Sequence, residues 1–319
     1  AERPRGVVLV IGDGMGVAHV TLAQRLRGEA FALGRMPHVG LVMTRSASSP
    51  VTDSAAAATA LATGVRTANR HVGIDAHGKP HPTVLEVAEA RGMATGMVTT
   101  ASFADATPSA FAAHHQDRKA SHELAAQVLR SGADLLIGSR ADALGVEVPT
   151  LVDLARSGYR IPRTLDELRA SLGPVLTAFR SGIHDGDSPD APLPVLAAWA
   201  FDRLADERAG FFLLVEHEGI DTASHHNASA ELEASLRSFD ETVGVLHALV
   251  DRRGDVLMVV TGDHETGGLQ ITDAGVAWST DGHTGEAVAL FATGPGAEAF
   301  AGVHDLAAVG RALHAAVAP

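Results

Sequence analysis

The sequence VVLVIGDGMGV, residues 7–17, predicts a buried strand followed by a glycine-rich turn, and this turn holds the first candidate functional residue. Its apolar run is typical of a strand buried on both faces, and the run ends in three glycines with Asp13 between the first two. A dinucleotide-binding loop requires G-x-G-x-x-G, but Val17 occupies the position of the last glycine, and no Gly-Lys pair follows to make a P-loop. The aspartate therefore suits either a metal ligand in a tight turn or the N-cap of the next helix.

Valine- and leucine-rich runs alternate with helical patterns along the chain, which predicts an α/β fold with a mainly parallel central sheet and helices on both faces. The predicted strands are residues 6–13, 37–46, 93–100, 133–139, 210–219, 255–265 and 286–296. The predicted helices are residues 16–28, 53–64, 83–92, 109–118, 121–132, 228–254 and 305–317. We interpret the irregular region from about 140 to 200 as a connection with some helix, and we expect one domain over residues 1–319.

The formal net charge is −13, from 25 basic and 38 acidic residues, which argues against nucleic acid or an anionic membrane as a partner. An anionic substrate would need local positive charge, and bound metal ions could supply it. The chain has no cysteine and 17 histidines, so any metal must be held by imidazole, carboxylate or hydroxyl groups. No apolar run approaches the length of a membrane span, and we expect no signal peptide within residues 1–319, as in a mature secreted form.

Polar side chains collect where predicted strands end, which is the edge at which open α/β sheets bind ligands. These residues are Asp13, Glu216, Asp221, Asp263 and His264. Asp221 and His225 are four residues apart, so on a helical turn they share a face and can hold one ion. Carboxylate oxygens suit Mg²⁺, and a mixture of Asp and His suits Zn²⁺. The alternative is a solvated helix start with incidental charges, which is how we interpret His217, Glu218 and His226.

His283 lies in a glycine-flanked turn before a predicted strand. A lone histidine there is more often structural, but in a rim of ligands it becomes a candidate ligand. Ser54 lies at the start of an alanine-rich helix, where free amides attract phosphate, so it is a candidate nucleophile. The alternative is a plain N-capping serine, and Thr52 is the competing hydroxyl. Asp53 or Thr52 is the predicted cap of this helix.

The segment DATPSAFAAHHQDR, residues 105–118, supplies Asp105, Thr107 and Arg118. The Thr107 hydroxyl is a candidate hard ligand. Arg118 is expected to close a helix and to present a fork of donors to phosphate.

Taken together, these segments resemble the alkaline phosphatase family. The resemblance runs in chain order from about Val7 to Phe291 through GDGMG, VTDSAAAATALATG, DATPSAFAAHHQDR, VEHEGIDTASHH, TGDHETGG and DGHTGE. It implies the three-layer α/β sandwich of that family, with two Zn²⁺ and one Mg²⁺ per chain. The implied ligand sets are Asp221, His225 and His283 for the first zinc, Asp13, Asp263 and His264 for the second, and Asp13, Thr107 and Glu216 for magnesium.

The resemblance also implies a reaction: hydrolysis of phosphate monoesters of broad specificity at alkaline pH, through a phosphoserine at Ser54. Arg118 would clamp the phosphate, and Asp105 would orient the arginine and the magnesium waters from outside the ligand set. Three divalent cations more than offset the four carboxylates of these sites, so an acidic protein could present an electropositive pocket.

Departures from the family pattern bear on assembly and on the surroundings of the metals. Thr222 follows Asp221 where some bacterial members have lysine, and we place it beside the ligands. Only 18 residues, 265–282, separate His264 from His283, where many relatives insert a larger crown that helps form a dimer. We therefore expect a crown-like insertion that is short and either a monomer or a homodimer. The resemblance implies a periplasmic or extracellular location.

Other functions remain to be weighed against this one. A sulfatase would need a C/S-x-P-x-R context that SAAAAT lacks, and a cofactor-independent mutase would share the scaffold. A phosphodiesterase of the same superfamily typically lacks the third metal site and the arginine. A non-catalytic phosphate- or metal-binding protein would be expected to lose the nucleophile or a ligand, and none is lost here.

Overall fold

A computed structural model describes residues 3–139, 158–162, 164–179 and 192–318. The chain forms these strands in sequence order: β1 Gly6–Gly12, β2 His38–Met43, β3 Ala94–Thr99, β4 Leu135–Ser139, β5 Val175–Phe179, β6 Phe211–His217, β7 Val256–Gly262, β8 Glu265–Thr266, β9 Leu269–Thr272, β10 Gly275–Trp278, β11 His283–Thr284, β12 Val288–Thr293 and β13 Gly302–Asp305. The α-helices are α1 Val17–Arg27, α2 Ser54–Thr63, α3 Val84–Ala90, α4 Ala106–Ala112, α5 Ser121–Val128, α6 Leu165–Ala170, α7 Leu193–Ala205, α8 Gly219–His225, α9 Ser229–Arg253 and α10 Leu306–Val317.

Within the described ranges, nine strands form one sheet in the order β13-β2-β12-β7-β1-β6-β3-β4-β5. Strand β12 runs antiparallel to β2 and β7, and the other neighbours pair in parallel. This confirms the predicted α/β class with a mainly parallel sheet. Strand β1 lies between β6 and β7, so the turn that carries Asp13 is at the middle of the sheet.

Both faces of β1 are buried, which explains its unbroken apolar run. Val7, Leu9 and Ile11 pack into a core on one face with α2, α3, α4, α5 and α10. Val8 and Val10 pack into a second core with α1, α6, α7 and α9. The three layers are therefore helices, sheet and helices, as the resemblance implied.

Helix α2 begins and ends for identifiable reasons. The Asp53 carboxylate accepts a hydrogen bond from the Ala56 amide, so Asp53, rather than Thr52, is the N-cap. Gly64 ends the helix with a φ of 72°, a left-handed conformation that glycine adopts without strain. Every residue of α2 is buried, and its alanines allow neighbouring helices to approach closely.

Two sequence-based expectations need correction. The helix predicted over residues 109–118 instead spans Ala106–Ala112, so Arg118 lies in the segment between α4 and α5 and does not close a helix. Asp105 caps this helix by accepting from the Ala106 amide, which moves its start toward the N-terminus. The region taken as a connection with some helix does contain helix α6 and the start of α7, but it also contains strand β5, which adds an edge to the sheet. Residues 140–157, 163 and 180–191 of that region lie outside the described residues.

Between His264 and His283 the chain forms the short strand β8 and the antiparallel hairpin of β9 and β10, and β11 then pairs with β8. Whether this segment acts as a small crown stays a prediction, as does the single domain over residues 1–319. Among the described helices, none is both long and apolar enough to cross a membrane.

We expect Gly310→Ala to lower the free energy of unfolding by about 1–3 kcal/mol, the usual cost of overpacking. A Cβ at Gly310 would lie 2.2 Å from the carbonyl oxygen of Ala60, so α10 would have to move away from α2. Urea unfolding measures this change. The control is Ala315→Val at an exposed position of α10, which should cost less than about 0.7 kcal/mol. Equal losses in the two variants would contradict the close packing.

Candidate metal centre and nucleophile

The strand register brings the candidate ligands to one edge of the sheet. Gly12, the last residue of β1, is paired with His217 of β6 and Gly262 of β7. Asp13 and Asp263 therefore leave adjacent strands at the same level, and Glu216 is the second-to-last residue of β6 on the other side of β1. Because neighbouring strands are roughly 4.8 Å apart, side chains at their ends are close enough to bind the same cation.

The glycines of the opening turn let other segments approach Asp13. Gly14 has a φ of 74°, and a Cβ on it would lie 2.8 Å from Asp221 Oδ1. A Cβ on Gly16 would lie 2.2 Å from Glu265 Cγ. The turn is held in place because the Gly14 amide donates to Asp263 Oδ1 at 3.0 Å. The glycines thus make room for two protein segments that carry candidate ligands.

Asp13, Asp263 and His264 converge in a buried cluster. His264 Nε2 lies 3.4 Å from Asp13 Oδ1 and 3.3 Å from Asp263 Oδ2. Among the described residues, neither of those carboxylate oxygens has a hydrogen-bond partner. Asp221 also reaches this cluster, since its ligand atom and those of Asp13 and His264 all lie within 4.8 Å of one another.

Asp221, His225 and His283 form a second cluster, whose ligand atoms also lie within 4.8 Å of one another. His225 Nε2 is 3.3 Å from Asp221 Oδ2 and 3.1 Å from His283 Nε2. Helix α8 explains the pairing, because residues four apart lie on one helical face. His283 also stacks on His264, with ring centroids 3.7 Å apart, so the two clusters are adjacent.

The hydrogen bonds of His225 and His283 leave the Nε2 of each ring facing the clusters. His225 Nδ1 donates to the carbonyl oxygen of Asp281 at 2.6 Å, and His283 Nδ1 donates to that of Thr52 at 3.0 Å. A carbonyl oxygen can only accept, so the proton of each neutral ring is on Nδ1. This is how proteins orient histidines that bind metal through Nε2.

Thr266 links the two clusters. Its hydroxyl donates to Asp221 Oδ1 at 2.5 Å and lies 3.2 Å from His264 Nδ1. Because its hydrogen is given to Asp221, the hydroxyl accepts the Nδ1 hydrogen of His264 and orients that ring as well. The sequence analysis missed Thr266, although its position two residues after His264 in DHET was the available signal.

A third group surrounds Glu216, which is 1% exposed. Thr99 donates a short hydrogen bond to its carboxylate. The buried Thr107 hydroxyl lies close enough to lower the pKa of Glu216, yet it makes no hydrogen bond of good geometry within the described residues. Burial dominates, however, and raises the pKa of Glu216 to about 8, with Asp105 and Asp263 adding repulsion.

The pKa shifts show how crowded the negative charge is. Burial raises the pKa of Asp13 well above its ordinary value, and Asp263, Asp221 and Glu216 raise it further. The ion pair with Asp221 raises the pKa of His225 to about 9. Buried carboxylates with unpartnered oxygens and imidazole nitrogens that face one another are the arrangement that a divalent cation stabilises. The donor set therefore fits metal binding.

Ser54 lies beside these clusters, at the first residue of α2. It is 4% exposed, and its Oγ is 3.2 Å from His264 Nε2. The competing Thr52 hydroxyl instead donates to the carbonyl oxygen of Asp53. Ser54 is thus the hydroxyl that faces the candidate ligands.

Arg118 reaches the same pocket from the segment after α4. Its guanidinium lies 3.6 Å from Asp53 Oδ2 and 3.7 Å from Asp105 Oδ1. Burial lowers its pKa, but Asp105, Asp53 and Asp13 outweigh burial and raise it, so Arg118 stays charged. Asp53 was expected only as a possible cap, and its second role beside Arg118 needed the tertiary structure.

The structure therefore brings together Asp13, Ser54, Asp105, Thr107, Arg118, Glu216, Asp221, His225, Asp263, His264 and His283. Thr222 differs, because it lies on an exposed part of α8 and its hydroxyl donates to Glu218. His217 is fully buried and packs edge-on against Phe239, so it is part of the core.

The sequence profile described as "Alkaline phosphatase" matches residues 4–143 and 182–277. The chain belongs to the alkaline phosphatase family. It is 31% identical to alkaline phosphatase 4 of Bacillus subtilis over 84% of this chain, and it spans 62% of that relative's length. It is 32% identical to streptomycin-6-phosphate phosphatase of Streptomyces griseus, with 94% of this chain and 88% of the relative covered.

Solved structures of the family share the whole fold. The alkaline phosphatase of the Antarctic bacterium TAB5 superposes with a TM-score of 0.89 at 26% identity and covers 99% of this chain and 98% of its own. That of a psychrophilic Shewanella has a TM-score of 0.90 at 29% identity, with 98% and 100% covered. A variant of the TAB5 enzyme has Mg bound in the site named M3.

We expect Thr266→Val to weaken metal binding by about 10–100-fold, the usual effect of losing a group that orients ligands. The substitution keeps the side-chain volume and removes the hydrogen bonds to Asp221 and His264. Zinc titration against a competing chelator measures the affinity. Thr272→Val, at an exposed position of β9, is the control and should bind zinc as the unmodified protein does. Unchanged affinity in Thr266→Val would contradict its linking role.

Proposed function

We propose that this chain hydrolyses phosphate monoesters with broad specificity at alkaline pH, through a phosphoserine at Ser54. The observation that carries the proposal is the position of Ser54 Oγ, 3.2 Å from His264 Nε2 at the start of α2 and beside the convergent carboxylates and histidines. Family membership supports the activity class, and the geometry supports the residue.

We assign two Zn²⁺ and one Mg²⁺ to the clusters. Asp221, His225 and His283 would hold one zinc, Asp13, Asp263 and His264 the other, and Asp13, Thr107 and Glu216 the magnesium. When bound, these cations would lower the pKa of the Ser54 hydroxyl and neutralise the phosphate and its leaving group. The Mg-containing TAB5 variant supports the magnesium assignment by analogy.

The protein's own groups position the phosphate for attack. The N-terminus of α2 would offer backbone amides beside Ser54. Arg118, whose guanidinium lies 3.6 Å from the Asp53 cap of that helix, would offer further donors to the phosphate. Ser54 Oγ gives its proton to water and attacks phosphorus, and the ester oxygen departs and takes a proton from water. Water then attacks the phosphoserine and releases inorganic phosphate and the free serine. Two in-line displacements retain the configuration at phosphorus.

Asp53 and Asp105 hold the Arg118 guanidinium in place from two directions, 3.6 and 3.7 Å away, so that it does not have to be ordered when phosphate arrives. The groups named so far would all act on the phosphoryl group and none on the leaving group, which is why we propose broad specificity.

We also propose a periplasmic or extracellular location, and either a monomer or a homodimer. The exposed side chains of Val39, Leu41 and Met43 on β2 and Val303 on β13 favour the homodimer.

Ser54→Ala should reduce the hydrolysis of p-nitrophenyl phosphate by roughly 10³-fold or more, because the nucleophile is lost. It should also abolish covalent labelling by ³²P-labelled substrate after acid quench. Thr52→Val removes the competing hydroxyl and should retain both properties, since the Thr52 hydroxyl bonds only to the Asp53 carbonyl oxygen among the described residues. Labelled phosphate on the Ser54→Ala protein would overturn the assignment.

Removal of metals with a chelator should abolish activity, and Zn²⁺ with Mg²⁺ should restore it better than either alone. Glu216→Gln should remove the stimulation by Mg²⁺ while two zinc ions remain bound, because Glu216 belongs to the third group only. Elemental analysis and activity against Mg²⁺ concentration measure these outcomes. Glu298→Gln, at an exposed position, is the control. Loss of zinc in the Glu216→Gln protein would show that the sites are assigned wrongly.

A narrower second candidate is a monoesterase for cationic leaving groups. The streptomycin-6-phosphate phosphatase is matched along 94% of this chain, and the net charge of −13 would attract a cationic substrate. The value of kcat/KM for an aminoglycoside phosphate should then exceed that for a neutral sugar phosphate by about tenfold at low salt and fall as salt is added. Equal values favour broad specificity, and faster hydrolysis of a diester would favour the phosphodiesterase alternative.

A further inference from the structure

We propose that His19 is a positioning residue that sets the separation of the two proposed zinc sites. It would do so by joining the turn that carries Asp13 to helix α8, which carries Asp221 and His225. This inference rests on the proposed metal sites, and its test separates the two.

His19 lies in the first turn of α1 and has no exposed surface. Its Nδ1 accepts a hydrogen bond from the Gly16 amide at 3.2 Å, and its Nε2 lies 3.0 Å from Ser224 Oγ. An Nδ1 that accepts carries no hydrogen, so the ring proton is on Nε2 and is donated to Ser224. Ser224 in turn donates to the carbonyl oxygen of Ile220 at 2.7 Å. The direction of every hydrogen bond in this chain of contacts is therefore determined.

The two ends of the chain of contacts carry ligands of different clusters. Gly16 is the last glycine of the turn that holds Asp13, and it follows Asp13 by three residues. Ser224 lies on α8 between Asp221 and His225. A movement of α8 relative to the turn would break the bond between His19 and Ser224. His19 thus constrains the distance between the two ligand sets through Gly16 and Ser224, which are not ligands themselves.

A third ligand-bearing segment also contacts His19. Its ring lies edge-on to Trp278, with centroids 6.4 Å apart and planes at 63°. Trp278 ends β10, five residues before His283. The indole nitrogen of Trp278 donates to Ser229 at the start of α9, which fixes the other side of this contact. One buried ring therefore borders the segments that lead to Asp13, Asp221 and His283.

An apolar side chain would fill the same space but would not select one position of α8. A buried imidazole with both nitrogens satisfied favours one arrangement, because any slip leaves a polar atom unpaired in the core. Burial also lowers the pKa of His19 to about 3, so the ring stays neutral and keeps its pattern of donor and acceptor at working pH. We therefore expect His19 to affect metal geometry more than global stability.

The test compares His19→Leu, Ser224→Ala and the double variant with the unmodified protein. Zinc titration against a chelator should show one of the two sites weakened by about 10–100-fold in each single variant. The double variant should be little weaker than His19→Leu, because both changes remove the same link. The kcat for p-nitrophenyl phosphate should fall more than KM rises. His19→Gln, whose amide can donate to Ser224, should recover part of the zinc affinity.

His247→Leu is the matched control, since His247 is also buried in a helix but pairs with Asp251, away from the ligands. It should leave zinc affinity unchanged. If His19→Leu and Ser224→Ala lower the unfolding free energy while both zinc sites keep their affinity, His19 is merely structural and the inference is wrong. Ser224→Ala removes one oxygen atom and serves as the test if His19→Leu does not fold. If the unmodified protein binds zinc but cleaves no monoester, the proposed function fails, whereas the inference on His19 still stands or falls on zinc affinity.

Discussion

The structure depends on one electrostatic constraint: buried carboxylates and imidazoles meet at the carboxyl end of the central strands with more negative charge than they can neutralise. Asp13 shows this constraint, because burial and the four carboxylates of Asp263, Asp221, Glu216 and Glu218 all raise its pKa. Its Oδ1 and Asp263 Oδ2 have no hydrogen-bond partner among the described residues. A folded protein rarely leaves such groups uncompensated, because each costs several kcal/mol, on the order of the loss of a whole buried ion pair. Cations bound here would offset this cost and would give the acidic chain the electropositive pocket that the proposed phosphate ester substrate needs.

The surrounding residues orient three histidine rings so that the Nε2 lone pairs point toward the buried carboxylates. Carbonyl oxygens of Thr52 and Asp281 and the hydroxyl of Thr266 take the Nδ1 hydrogens of three histidines, which leaves each Nε2 free to face a cation. The same Thr52 that was a rival nucleophile thus contributes through its backbone. His19 extends the principle outward, since it holds the helix and the turn that carry the ligands rather than a ligand itself. Positioning residues of this kind carry no charge into the site and are invisible to a search for ligands.

Much of the fold could be predicted from local patterns, and the failures have physical causes. The unbroken apolar run of β1 indicated a strand covered on both sides, and the two cores confirm this. The helix predicted over residues 109–118 was wrong because no glycine or proline marks its end after Ala112, whereas the Asp105 cap sets its start and the Arg118 amide donates to the Arg70 carbonyl oxygen instead of continuing the helix. Strand β5 was missed because VLTAF is short and lies next to Pro- and Gly-rich sequence, and only pairing with β4 makes it a strand.

The sequence alone indicated which side chains could do chemistry. Asp13 and Asp263 lie where apolar runs end, Ser54 begins a helix, and these residues keep the order of a known family together with Asp221, His225, His264 and His283. It also showed that the glycines beside Asp13 match neither the dinucleotide-binding motif nor the P-loop motif. Only the tertiary structure decided what those glycines do: they let Asp221 and Glu265 approach closer than any Cβ would allow. The roles of Thr266, Asp53 and His19 also became visible only in the tertiary structure. Their hydrogen bonds and ion pairs join residues tens to hundreds of positions apart, and such contacts produce no periodic pattern in the sequence. A local sequence pattern indicates which faces of a helix or strand are buried. The partners of a polar atom instead depend on which distant segment the sheet brings beside it.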